Sequence, residues 1–301
     1  MNIGIVSYYA VTNIGDKILT DTVKWLLSNH TTEIIDINAR YIYRYKGVLG
    51  RIERIIQKHF INRTAEEDIA KFFKKKLKNK DLIIFAGGQI IDFKYTDCCR
   101  NIYLLVKTAE RLGIPIAFHA IGMAGNNYSD YRVNTVKMIF SSPAIRSVSV
   151  RERHEEFIKN FAVPSINKVE KVIDTAIWCN ECYSIKKASH FPYKTIGINV
   201  INHKVLDNYY GITSNNQIID LYILIYNRFT EQGLNVYFFT NGVQHDETTL
   251  NQIIRSIKNG EEKVLRPKVH GSGKEFVQML TKFDFIISSR GCKSLRILVK
   301  T

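Results

Sequence analysis

Asn2-Ile3-Gly4-Ile5-Val6-Ser7-Tyr8-Tyr9 is followed by Thr12-Asn13-Ile14-Gly15-Asp16, and then by Leu19, Val23, Leu26 and Leu27 at helical spacing. The first run reads as a buried strand, the second as a turn, and the third as the apolar stripe of an amphipathic helix. A strand, loop and helix in this order open an α/β sheet. Their loop lies at the carboxyl end of the strand, the edge at which such sheets bind ligands. Here it places a glycine and a carboxylate at a helix N-terminus, which suits an anion or a hydroxyl. It is not a dinucleotide fingerprint: Gly-x-Gly-x-x-Gly is absent, and so is the P-loop pattern.

Working outward, strand-like runs recur at 3–9, 33–38, 81–86, 115–121, 145–150 and 171–173, with helical patterns at 64–78, 102–112 and 132–140 between them. Such alternation predicts a doubly wound, mostly parallel sheet. The polar stretch 180–194 reads as a linker, which divides the chain into an N-terminal Rossmann-like domain, 1–185, and a C-terminal one, 186–301. In the second half, strands are predicted at 195–201, 235–240 and 284–289, and helices at 216–232, 247–258 and 274–282. Gly233 stands where a helix C-terminus favours glycine. The run Phe283 to Ile287 is apolar enough to predict a central strand covered on both faces. Only twelve residues follow Ser289, too few for the covering elements, so the second domain reads as incomplete.

Composition narrows the function classes. The 301 residues are 45% hydrophobic, enough for one large core or two smaller ones. No apolar run is long enough to span a bilayer and no secretory pattern precedes the first strand, so a cytoplasmic protein is expected. The five cysteines are Cys98, Cys99, Cys179, Cys182 and Cys292. Cys179 and Cys182 have metal-pair spacing. Their nearest counterpart is the adjacent pair Cys98-Cys99, which chelates poorly, so thiols without metal are expected. The net charge is +15, with its densest basic stretch at 40–80. Solvated surface helices are the plain reading of that stretch, and peripheral contact with an anionic membrane surface or a glycan is the sharper one. Nucleic acid is not expected as a partner.

The loops at the carboxyl ends of the strands carry the remaining signals: Gly87-Gly88-Gln89-Ile90-Ile91-Asp92, His119-Ala120-Ile121-Gly122-Met123-Ala124-Gly125, Ser149-Val150-Arg151-Glu152, Asp174, and Ser288-Ser289-Arg290. Each has a structural reading beside a functional one. Asp16 caps the first helix or handles a proton. Gly87 and Gly88 relieve a tight turn or let a ligand approach the backbone. Arg151 pairs with Glu152 or clamps an anion. His119 is a hydrogen-bonded core histidine or a substrate contact, and Asp174 shapes its loop.

In this order and spacing, and together with Asn13-Ile14-Gly15-Asp16, these pieces resemble the polysaccharide pyruvyl transferase family over nearly the whole chain. The resemblance implies two Rossmann-like domains in a GT-B-like arrangement. It also implies transfer of the enolpyruvyl unit of phosphoenolpyruvate to a sugar of a cell-surface polysaccharide, giving a pyruvate ketal, with no cofactor. On that reading Arg151 and Arg290 clamp the phosphate and carboxylate of the donor, and Asp16 and Asp92 are the acid and base. Asn13, Gly15, Gly87, Gly88, Gln89, His119 and Gly122 contact substrate. The acceptor is a glycan or lipid-linked sugar, used at the inner face of the membrane. Two other functions stay open: a nucleotide-sugar glycosyltransferase using Asp246 or Glu247 on base and ribose, and a non-catalytic glycan-binding relative.

The sequence leaves the family pattern just after Arg290. The family has arginine, an apolar residue and histidine there, whereas this chain has Arg290-Gly291-Cys292 followed by a tail without a helical stripe. The expectation is a truncated form with weak or lost activity, arising from a frameshift. Resequencing the locus tests this: a neighbouring frame that encodes the histidine and a helix is expected, and its absence contradicts the expectation.

Overall fold

The computed structural model describes residues 1–8, 13–38, 65–92, 98–124, 128–161, 169–186, 194–202, 204, 214–268 and 271–288. The chain forms two compact units, Met1–Ala10 with Val23–Asp174, and Val11–Thr22 with Thr175–Thr301.

The first unit is built on a parallel sheet of β1 (Asn2–Ser7), β2 (Thr31–Asp36), β3 (Leu82–Ala86), β4 (Gln89–Asp92), β5 (Ile116–Ala124), β6 (Ile145–Val150) and β7 (Val169–Lys171). The strand order is β2-β1-β3-β5-β6-β7, with β4 paired to β5. Helix α1 (Ile14–Leu26) precedes β2, α2 (Ala65–Leu77) precedes β3, and α3 (Cys98–Arg111), α4 (Arg132–Phe140) and α5 (His154–Phe161) follow in the order of the strands.

Alternation along β3 assigns the faces. Phe85 points to one side and stacks on Phe118 with ring centroids 4.2 Å apart, and Phe118 meets Phe140 of α4, which meets Phe157 of α5. All four rings are fully buried. Ile84 and Ala86 point to the other side, where they join Ile5 and Val23 and Leu27 at the end of α1. Beside α1 on that side the sheet carries a groove of about 700 Å³, lined by Ile84, His119, Ser149 and Val172 among others.

The second unit has a three-stranded parallel sheet of β8 (Thr195–Asn199), β9 (Asn235–Phe239) and β10 (Phe285–Ser288), in the order β10-β8-β9. Short helix α6 (Cys179–Tyr183) and helices α7 (Asn215–Glu231), α8 (Gln244–Arg255) and α9 (Gly273–Leu280) accompany it. Ile198, Phe238, Leu250 and Ile253 form its dry centre. Ser214 and Ser272 cap α7 and α9 by accepting from the Gln217 and Glu275 amides. Gly233 follows α7 in the left-handed region, as its position predicts.

Most strands lie where periodicity puts them, but four readings change. Gln89–Asp92 is a strand rather than a loop, because Gly87 and Gly88 both take positive φ and step the chain from β3 across to the far end of β5. The unit boundary falls after Asp174 instead of after 185. The stretch read as a linker holds most of α6, whose Cys179 is packed with Ile14, Ile18, Phe276 and Leu280. Ile14 and Ile18 lie one turn apart on α1, so the start of that helix counts with the second unit. Finally, β10 is an edge strand among the described residues and none of its side chains is fully buried, so it is not the covered central strand its composition suggests.

Burial raises the Cys179 thiol to about 12, aided by the charge of Glu181, and raises Cys182 as well. Both are therefore protonated packing groups at neutral pH.

Gly197 on β8 lies under the ring of Phe283, and a β-carbon there would fall 2.5 to 2.8 Å from three ring atoms. Phe283 is itself buried and stacked on Phe239 at 5.4 Å, so it has little room to yield. Gly197→Ala is expected to destabilise the protein by about 1–3 kcal/mol through overpacking, read as a lower urea midpoint. An unchanged midpoint would contradict this packing.

Candidate functional site

The carboxyl ends of β3, β4, β5, β6 and β7 bring most of the sequence-predicted site residues together within the first unit. The glycine pair fixes the frame: the Gly87 amide donates to the His119 carbonyl at 2.9 Å and the Gly122 amide to the Gly88 carbonyl at 2.7 Å. Between these points β5 bulges. Ala120 takes a φ of 49°, and the pairing with β6 shifts register between Phe118 and Ile121. The Ser149 hydroxyl repairs the ladder by accepting from the Ala120 amide at 2.9 Å.

The bulge carries Gly122 to the side chains that leave β6. Arg151 follows directly and donates through Nη1 to Asp174 Oδ2 at 2.6 Å. Its side chain is 14% exposed and that of Asp174 10%. Glu152 Oε1 lies 3.8 Å from Arg151 Nε and accepts from Gln89 Nε2 at 3.2 Å. These groups crowd against the backbone of Gly122, where a β-carbon would sit 2.7 Å from Glu152 Oε1 and 3.0 Å from Arg151 Nη2. Any β-carbon here would push the ends of these two side chains aside, so glycine suits the close approach. Oε1 of Gln89 is buried with no partner among the described residues.

His119 is half-buried on the groove side of β5. Burial holds its imidazole below the usual histidine range, and the negative charge of Asp174 partly offsets this. It is therefore neutral at neutral pH, able to donate from one nitrogen and accept at the other. Asp92 closes β4 as a buried carboxylate. Asp174 is thus more than a loop residue: it anchors Arg151 and biases His119.

The other candidates belong to the second unit. The Asn13 side chain accepts from the Gly15 amide at 3.2 Å and donates to Asp16 Oδ2 at 3.0 Å, so Asn13 caps α1 and Asp16 is its first-turn acid. The Ile14 amide donates to the Asn241 carbonyl at 3.2 Å. Around Asn241 lies a polar network that sequence reasoning missed. Buried Asn199 donates to Asn241 Oδ1 at 3.1 Å and accepts from the Ser288 hydroxyl at 3.3 Å. Its only signal in the sequence is an asparagine or serine at the end of each strand. Asp246 is fully buried and accepts from the Asn202 amide. Glu247 accepts from the Thr240 hydroxyl and pairs with Arg266 at 3.1 Å. The two acids that a nucleotide would need are thus engaged inside the unit. Arg290 lies outside the described residues.

A family model described as polysaccharide pyruvyl transferase matches residues 13–291. The chain belongs to this family. The matched span includes every candidate site residue, and transfer of a pyruvyl group is the general chemistry of the family. No curated protein sequence matches the chain. Solved structures show the fold class, α/β with Rossmann-like units of the GT-B-like type. The UDP-GlcNAc 2-epimerase from Methanocaldococcus jannaschii is 12% identical with a TM-score of 0.54, over 95% of this chain and 78% of that one. S. aureus MnaA, solved with UDP, is 10% identical with a TM-score of 0.55, over 96% and 74%. A putative UDP-N-acetylglucosamine 2-epimerase from Listeria monocytogenes is 10% identical with a TM-score of 0.53, over 97% and 74%. Among the described residues no helix is long and apolar enough to cross a membrane.

Because the charge of Asp174 favours the imidazolium of His119, Asp174→Asn is expected to move the titration of His119 to lower pH. Histidine-selective NMR reads this directly, and an unmoved titration would contradict the placement of Asp174.

Proposed function

We propose that the chain transfers the enolpyruvyl unit of phosphoenolpyruvate to a sugar of a cell-surface polysaccharide or its lipid-linked precursor, forming a pyruvate ketal. The observation that carries this reading is the anchored guanidinium of Arg151, held at 2.6 Å by Asp174 and laid against the backbone of Gly122. With Nη1 committed to Asp174, Nη2 keeps donors for a phosphate or carboxylate, and the anchor limits the side-chain freedom lost on binding. The flanking carboxylates of Asp174 and Glu152 offset the positive charge of Arg151. Recognition then rests on directed hydrogen bonds more than on excess charge.

Ketal formation adds one sugar hydroxyl to C2 of the enol phosphate while C3 gains a proton. The C2–O bond to phosphate then breaks, and a second hydroxyl closes the ring. The steps need a base for the hydroxyls and an acid for C3. Asp92 and Asp16 are proposed for these roles, Arg290 as a second clamp, and Asn13, Gly15, Gly87, Gly88, Gln89, His119 and Gly122 as substrate contacts. The nucleotide-sugar reading has less support, since Asp246 and Glu247 serve contacts within their own unit.

Mass spectrometry of glycans incubated with the protein and phosphoenolpyruvate is expected to show ketal product. The rate is expected to be low, with Cys292 at the position where the family has histidine, and to rise in Cys292→His. Arg151→Ala is expected to lower kcat/KM about 10- to 100-fold, the worth of a hydrogen bond to a charged group. No product on any glycan from folded protein of either sequence would contradict the proposal.

A further inference from the structure

In a parallel α/β unit every helix runs back against the strands, so strand N-termini and helix C-termini share one edge, opposite the edge that holds Arg151. In the first unit that edge is drawn by backbone bonds from Thr31 to Met1, Asp81 to Asn2, Ile83 to Pro115 and Ile116 to Ala144. We propose that this edge, with the adjoining outer side of α2, is a docking face for an anionic lipid bilayer.

The cationic part is α2. Lys71, Lys74, Lys75 and Lys78 are all exposed and recur at the spacing of a single helical stripe. None forms an ion pair with a described residue. The neighbouring acids are already occupied: Glu33 binds Lys76 and Lys80, each at 2.8 Å, and Glu110 binds Lys107 at 3.0 Å. The acids of α2 itself gather in its first turn, at the opposite end, where Glu66 pairs with Arg100. Favourable contact with the helix dipole accounts for basic residues in the last turn. It does not account for Lys71, which lies before that turn and continues the same stripe. Lys24, Arg111, Lys137 and Arg146 add exposed charge where α1, α3 and α4 end and β6 begins.

The apolar part separates a bilayer from a soluble polyanion. Met1 is 61% exposed, Met138 47%, Leu112 40% and Trp25 37%, each at a strand start or helix end on this same edge. Cations with interspersed apolar and tryptophan side chains suit a headgroup layer, where the charges meet anionic lipid and the apolar groups enter the acyl boundary. A nucleic acid or an acidic glycan would use the lysines and leave these side chains in water. The inference does not depend on the pyruvyl-transfer reading, because it concerns the other edge of the sheet.

The test is co-sedimentation of the full chain with vesicles of phosphatidylcholine alone or mixed with phosphatidylglycerol. Binding is expected only to the mixed vesicles and is expected to weaken in molar salt. The combined change Lys71→Gln, Lys74→Gln, Lys75→Gln and Lys78→Gln should reduce the binding on the order of a thousandfold, following the attraction of each basic residue near an anionic surface. The same number of changes at Lys186, Lys258, Lys268 and Lys282, exposed in the second unit, should leave most of it. In a Trp178→Phe background, Trp25 emission should shift to the blue on binding. Equal losses in the two lysine sets, or retention of heparin binding with no vesicle binding, would overturn the proposal.

Discussion

The ion pair between Arg151 and Asp174 organises the candidate site. Its members leave the ends of two neighbouring strands, and Gly122 on a third strand makes room for them. A glutamine on β4 completes the set through Glu152. An arginine this shielded from water is costly unless its donors are met, so the pair and the bulge beneath it depend on each other. Ser149 belongs to the same arrangement: without its hydroxyl the bulge would leave the Ala120 amide unpaired. What emerges is a fixed guanidinium with one side committed to the protein. Under the proposed function, this arrangement suits a donor with phosphate and carboxylate groups better than a loose surface arginine would.

Much of this was legible in the sequence. The apolar runs of β1, β5 and β6 and the stripes of α1 and α4 follow simple periods, and the glycine pair and the Arg151 loop stand out at strand ends. Asp174 and Glu152 were visible as neighbours of the motif, but their function depends on which strands lie side by side, which periodicity does not encode. The strand β4 was hidden because its four residues follow two glycines and look like a loop. The half-and-half assignment of α1 was hidden for another reason. Ile14, Ile18 and Val23 make one continuous stripe in sequence, yet the first two pack in the second unit and Val23 in the first.

The second unit shows how composition misleads when its surroundings are unknown. Phe285, Ile286 and Ile287 read as the centre of a sheet, while β10 pairs with β8 alone among the described residues. Its Ser288 nonetheless enters the polar network of Asn199 and Asn241. The strand ends of this unit, like those of the first, therefore carry hydrogen-bonding groups held in place by their neighbours. The family match spans both units.

The central claim is that Asp174 acts on the donor through Arg151. A double-mutant cycle on phosphoenolpyruvate affinity, measured by calorimetry on the parent, Arg151→Ala, Asp174→Asn and the double variant, tests it most directly. Asp174→Asn should weaken binding in the parent and change nothing once Arg151 is gone. Additive losses, or a parent protein that is folded and does not bind phosphoenolpyruvate, would contradict the account.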